Sequence, residues 1–163
     1  MKNISLKAKS VRQSAATFTH LVLPHDTNNL GTIFGGTLMA WIDMAAAIVA
    51  QRHCRKIAVT ASMDSLHFVA PVKSGYVVII RSSVNYTHNT SMEIGVKVEA
   101  ENPLTGEKTH TASCYLTFVA LGADGKPTAV PAIMPKTKDE KRRYEGAILR
   151  RKERLKLKKA YAK

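Results

Sequence analysis

The sequence predicts an α+β domain in which one long helix is wrapped by a curved antiparallel sheet of about five strands. Three observations lead there. Residues 37–53 are rich in Ala, Leu and Met, lack Gly and Pro, and are apolar almost all round. Four strand-like segments follow, separated by short turns that suit antiparallel neighbours. The chain has 163 residues, enough for one hydrophobic core. So apolar a helix needs cover on most sides, and a strongly curved sheet supplies it. Such a sheet keeps an exposed edge and an open face, so pairing with a second copy is expected.

Taken in order, residues 1–14 read as a flexible basic arm, 15–135 as the domain and 136–163 as a basic C-terminal helix or tail. Residues 17–23 read as a strand stopped by Pro24. Residues 25–36 form a loop rich in Asp, Asn and Gly. After the helix, strand-like runs cover 57–70, 76–87, 92–101 and 109–121. In 92–101, Met92, Ile94, Val96, Val98 and Ala100 alternate with Glu93, Gly95, Lys97, Glu99 and Glu101, a strand with one wet face. Thr137 and Glu140 have capping-box spacing and open a charged helix that is expected to project from the body.

The formal net charge is +13. Residues 136–163 hold thirteen Lys/Arg and four Asp/Glu, so +9 of it sits in the tail. A uniform nucleic-acid surface is therefore not indicated, and the tail reads first as a solvated helix. Binding of nucleic acid or an anionic surface through it is a secondary possibility that steep salt dependence would reveal. No apolar run approaches the ~20 residues of a membrane span. No apolar stretch follows the basic N-terminal residues, so a secretory leader is not expected. The two cysteines, Cys54 and Cys114, give neither a disulfide framework nor metal-ligand spacing, and reduced thiols in the cytoplasm are the simple reading.

One residue does not belong in its setting. Asp43 stands mid-helix, with Met39, Ala40, Ala46 and Ala47 one turn away and Ile42 and Met44 beside it. Burying an unpaired carboxylate is costly. Such a group is paired, set at a cavity wall, or chemically active as a general base or nucleophile. Gly35-Gly36 leads into the same helix two turns earlier. Glycines admit a close approach to the backbone, and first-turn N–H groups can hold the oxyanion formed when a carbonyl is attacked. An amide in the preceding loop could orient water or substrate. Asn28 is one candidate, and Asp26 and Asn29 compete with it. Trp41 reads as core. His20, His67 and His110 read as structural, and Met39, Met44, Met63 and Met92 as packing between helix and sheet.

The stretch from Pro24 to Gly36, followed by Trp41-Ile42-Asp43-Met44-Ala45, resembles the signature of hotdog-fold acyl-CoA thioesterases. The resemblance continues through Arg52-His53-Cys54, Val59 to Asp64, Ser91-Met92-Glu93-Ile94 and Thr117 to Ala120, and covers roughly residues 17–146. It implies a homodimer with active sites at its interface, often gathered into a trimer of dimers. It implies that Asp43 and Asn28 are catalytic, with Asn28 supplied by the partner subunit. It also implies that the Gly36 amide polarises the thioester carbonyl beside Gly35. More weakly, it places Asn89, Thr90 and Ser91 along the coenzyme A groove, and Arg142 or Arg143 near CoA phosphates. The basic tail beyond Gly146 departs from the pattern.

The activity this implies is hydrolysis of fatty acyl-CoA to free acid and CoA, with no cofactor, since CoA is part of the substrate, and no metal. The alternative is a non-catalytic acyl-CoA-binding sensor on the same fold, for which a mid-helix acid has no use. A dehydratase is disfavoured because Asp43 lacks an evident histidine partner. His53, ten residues on, is not expected to serve.

Overall fold

A computed structural model describes residues 6–161 of the chain. Strand β1 (Lys9–Ser10) and a single 3-10 turn (Val11–Gln13) come first, then β2 (Ala16–Leu21). Helix α1 (Gly35–Cys54) is followed by β3 (Ile57–Met63), β4 (His67–Phe68), β5 (Val77–His88), β6 (Ser91–Glu101), β7 (Lys108–Leu121) and β8 (Ile133–Met134). Helix α2 (Lys138–Tyr161) closes the chain.

The main sheet runs β2-β5-β6-β7-β3, antiparallel throughout, with β4 pairing β7 off that path. It curls around α1, whose inner side buries Leu38, Ile42, Ala45, Ala46, Val49 and Ala50. Period-two side chains meet it: Ile94, Val96 and Val98 of β6, and Cys114, Leu116 and Phe118 of β7. A two-residue turn joins β5 to β6, and Asn89 supplies the positive φ (41°) that such a turn needs. Register shifts leave Ala61, Asn85 and Thr111 unpaired, three bulges that bend the strands and tighten the curl.

Four sequence expectations are corrected. The helix begins at Gly35, so the glycine pair lies inside its first turn rather than ahead of it. The strand expected over 57–70 breaks into β3 and β4, because Asp64 to Leu66 leave the ladder. The arm is structured from Lys9 onward: β1 pairs with β8 in parallel, and Val11 is buried. Residues 1–5 of that arm lie outside the described residues. Finally, α2 does not simply project. It lies on the outer face of the sheet as far as Arg154, with Ala147 fully buried and Tyr144 edge-on to Tyr86. Its capping box is present: Glu140 N–H donates to Thr137 Oγ1, and Thr137 N–H to Glu140 Oε2 at 3.0 Å.

Helix α1 is also less enclosed than its composition suggests. Gly36, Met39, Ala40, Met44 and Ile48 are exposed along one side, beside the edge strand β3 with exposed Ile57 and Val59. An all-round apolar helix covered on one side by its own sheet leaves its other side for something else.

Candidate active site

Asp43 sits on that open side of α1, half-buried, rather than in the sealed interior. Its Oδ1 accepts a hydrogen bond from Thr60 Oγ1 at 2.7 Å. Thr60 belongs to β3, just before the bulge at Ala61, so the edge strand and the helix fix the carboxylate between them. Among the described residues, Oδ2 has no hydrogen-bond partner. One oxygen is thus held and the other is available, an arrangement suited to a base or a nucleophile. Thr60 escaped the sequence reading because its partner is 17 residues away and the contact exists only once β3 packs on α1.

The first turn of α1 opens on Phe34, whose side chain makes no capping hydrogen bond. The amides of Gly35 and Gly36 have no acceptor within the helix by its geometry. A methyl group at Gly36 would lie 2.5 Å from Phe34 Cε1, so a larger residue there must push the exposed Phe34 ring aside.

The loop before the helix is a small hairpin clipped by a Thr27–Ile33 bridge, with Leu30 at its tip 86% exposed. Asn28 Oδ1 accepts from Leu30 N–H at 2.9 Å, and Asn28 Nδ2 donates to Thr32 Oγ1 at 3.1 Å. Its amide is locked in orientation. The competing residues separate here. Asp26 accepts from Leu23 N–H and stabilises the 3-10 turn Pro24–Asp26, and Asn29 lies exposed in the turn. Asn28 and Gly35 share the lining of a cavity of about 390 Å³, walled by Ile33, Leu38, Phe68 and Val72.

Asp43 does not line that cavity. It stands seven positions beyond Gly36, about 10 Å of rise along a helix. The structure thus groups Asn28 with Gly35 at one cavity, and separately Asp43 with Thr60.

Of the weaker candidates, Ser91 lines a larger groove of about 920 Å³ under α2. Asn89 and Thr90 form the β5–β6 turn, and their carbonyls accept from Val130 and Ala120. Arg142 pairs with Asp139, and neither it nor Arg143 lines the groove. His53 is fully buried, its Nε2 2.9 Å from the Pro131 carbonyl and its Nδ1 3.4 Å from Ser14 Oγ, far from any catalytic duty. Burial holds its pKa below the ordinary histidine value, against the pull of the Pro131 carbonyl. Trp41 stacks on His20 at 4.4 Å. Burial pushes the Cys114 thiol up to about 12, and Cys54 is likewise a buried free thiol. Among the described residues, no group of three or more His, Cys, Asp or Glu is placed to hold a metal, and no helix is long and apolar enough to cross a membrane.

A helix cradled in an antiparallel half-barrel, with a held carboxylate on its open side, defines a hotdog-fold protein. Residues 30–107 match the Thioesterase superfamily. The uncharacterized acyl-CoA thioester hydrolase YkhA of Bacillus subtilis is 45% identical over 143 residues, 88% of this chain and 83% of that protein. The crystal structure of an apo-hexameric acyl-CoA thioesterase superposes with a TM-score of 0.90 at 44% identity, over 93% of this chain and 97% of that one. The acyl-CoA hydrolase from Staphylococcus aureus, solved with butyryl coenzyme A, coenzyme A and coenzyme A disulfide, gives a TM-score of 0.87 at 39% identity, over 95% and 96%. That enzyme has also been solved with alanine at, in its own numbering, Asp43, Asn28 and Thr60. The chain belongs to the hotdog-fold acyl-CoA thioester hydrolases of the Thioesterase superfamily.

Proposed function

We propose that the chain hydrolyses acyl-CoA to free acid and CoA at sites shared between two copies. Each site takes Asp43 and Thr60 from one protomer. It takes Asn28 of the partner subunit and Gly36 of the partner subunit from the other. The observation that carries this reading is the separation itself: Asp43, held by Thr60 on the open side of α1, does not line the cavity that Asn28 and Gly35 share.

The chemistry follows from the parts. The partner's Gly36 amide donates to the thioester carbonyl, and that bond strengthens as the oxygen gains charge, an effect worth ~10²–10³ in rate per donor. The partner's Asn28 orients water or substrate. Asp43 then takes a proton from water as its oxygen bonds the carbonyl carbon, or attacks that carbon itself to give an anhydride that water opens. In both routes the C–S bond breaks and the CoA sulfur is protonated. Single turnover in ¹⁸O-water separates them, since label enters the Asp43 carboxylate only through the anhydride. The hexameric neighbour supports dimers gathered in threes. The two buried thiols support a reducing compartment, the cytoplasm. CoA is the substrate's own carrier, and no further cofactor is invoked.

The test is release of free thiol from acyl-CoAs of C2 to C16 by the wild type and Asp43→Ala. Turnover that collapses in a folded variant supports hydrolysis. Tight binding of CoA esters without turnover in the wild type would replace it with the sensor reading.

The division of the chain at 15–135 and 136–163 belongs to this proposal too, with α2 as an accessory to the domain's outer face.

A further inference from the structure

Strand β3 carries Thr60, yet its own packing anchors it little. Of its seven residues only Ala58 is buried, and the strand lies at the end of the sheet with β7 on one side. The ladder with β7 is also interrupted beside Thr60. Thr60 pairs with Phe118 and Ser62 with Thr117, which leaves Ala61 as a bulge. A bulge re-aims the side chains next to it, so the direction of the Thr60 hydroxyl depends on how both flanks are held. One flank is the ladder from Ile57 to Thr60. The other ends three residues past Ala61, at Asp64.

Asp64 is where the chain leaves the ladder, and it is held twice. Its N–H donates to the Tyr115 carbonyl at 2.9 Å. Its Oδ2 accepts from Arg154 Nη1 at 2.7 Å. The other arm of that guanidinium, Nη2, donates to Glu93 Oε2 at 2.7 Å, and Glu93 is almost wholly buried. Arg150 donates to Glu93 Oε1 at 2.7 Å and lies over the Tyr115 ring, 3.5 Å from its centre. One buried carboxylate thus fastens α2 to the sheet, and α2 fastens the end of β3. An exposed ion pair would hold little. Here the Arg154 and Asp64 side chains are only 21% and 23% exposed, and the planar guanidinium sets direction as well as distance. Glu93 also accepts from Asn85 Nδ2 at 3.3 Å, and Asn85 is the bulge residue of β5.

We propose that Asp64 and Arg154 are positioning residues for the hydrolysis: by clamping the end of β3 they fix the Ala61 bulge, and with it the aim of the Thr60 hydroxyl at Asp43. The proposal rests on the reading of Asp43 and Thr60 given above. It adds that α2 acts on the reaction through the backbone of β3. Asp64 stands four residues past Thr60, about 13 Å along a strand, so it does not touch the Asp43 carboxylate itself.

The experiment is a double-mutant cycle on thiol release from one acyl-CoA, with the wild type, Asp64→Ala, Thr60→Val and Asp64→Ala/Thr60→Val. Asp64→Ala is expected to lower kcat about fivefold with KM unchanged, the effect of a misaimed hydroxyl rather than a lost one. Asp64→Glu, which keeps a carboxylate for Arg154, should regain most of it. In the Thr60→Val background Asp64→Ala should cost nothing further, because its route to Asp43 is already cut. Asp64→Asn keeps the size of the side chain and carries the same comparison should the alanine variant not fold. A control, Glu101→Gln, breaks an ion pair with Lys108 at the other end of β6 and should leave kcat alone. Equal losses from Asp64→Ala in both backgrounds would overturn the proposal. So would a rise in KM with kcat held, which would make Asp64 a substrate contact, or a fall in oligomeric state on a sizing column. Amide hydrogen exchange over residues 60–63, measured without substrate, should quicken in Asp64→Ala, and unchanged exchange would overturn the clamp whatever the kinetics. If the wild type cleaves no thioester while exchange still quickens, the acyl-CoA reading fails and the clamp on β3 stands.

Discussion

Thr60 Oγ1 donates to Asp43 Oδ1 at 2.7 Å, and this bond joins the edge strand to the open side of the central helix. It leaves Oδ2 without a hydrogen-bond partner among the described residues, the oxygen that the proposed mechanism uses. Asp43→Ala is expected to reduce kcat by at least ~10³-fold. Thr60→Val should cost ~10–100-fold, the value of a hydrogen bond to a charged group, and Thr60→Ser should recover most of it. Thiol-release kinetics check both, with circular dichroism to confirm folding.

Gly36→Ala places a methyl group against the Phe34 ring in the first turn of α1. The ring is exposed and can move, so the protein should fold normally. Displacement of the bound carbonyl should lower kcat on the order of 10²-fold with little change in KM. An unchanged kcat would remove the helix start from the mechanism.

The proposed division of each site between two chains predicts complementation. Asp43→Ala and Asn28→Ala homodimers should each be inactive. Unfolded together and refolded as a mixture, they form heterodimers with one doubly damaged and one intact site. Recovery of about a quarter of wild-type activity is expected for random pairing of copies. No recovery would confine each site to a single chain.

Glu93 is a buried carboxylate under two guanidinium groups, joined by the amide of Asn85 at 3.3 Å. Glu93→Ala leaves those cations without their anion and should cost about 3 kcal/mol. Urea titration reads this as a lower midpoint. Proteolysis should then cut α2 before the domain.

His53 ties the end of α1 to Pro131 and Ser14, and its pKa lies below the ordinary 6.5 because burial disfavours its charged form, with nearby Lys9 adding to the effect. The unfolded chain therefore takes up a proton that the folded chain refuses. Stability should be full above pH 6.5 and fall as pH drops below it toward the folded pKa. His53→Gln should flatten that slope in denaturation measured from pH 7.5 to 5.

Much of the architecture was legible because local chemistry and long-range packing agree. The helix expected over 37–53 is found at 35–54, and the alternation of Met92 to Ala100 sets the inner face of β6. The capping box at Thr137 and Glu140 involves neighbours three residues apart, so spacing alone reveals it. Asp43 stood out because a carboxylate among alanines and methionines has a cost visible in any window. What escaped are contacts between distant segments of polar residues. Thr60 on Asp43 spans 17 residues, and Arg150 and Arg154 on Glu93 span 57 and 61. No periodicity marks a threonine or arginine as paired. The apolar circumference of α1 was read as enclosure by its own sheet, whereas an apolar surface is equally satisfied by a second chain.

The mounting of α2 has its own consequence for a cell whose ionic strength changes. The carboxylate that fastens the helix is walled off from solution, so dissolved counterions hardly reach it. The lysines on the helix's outer side are bathed in them. Raising salt should therefore mute what the helix attracts without loosening the helix itself. The protein would carry a charged antenna whose reach the medium sets, on a bracket the medium does not touch.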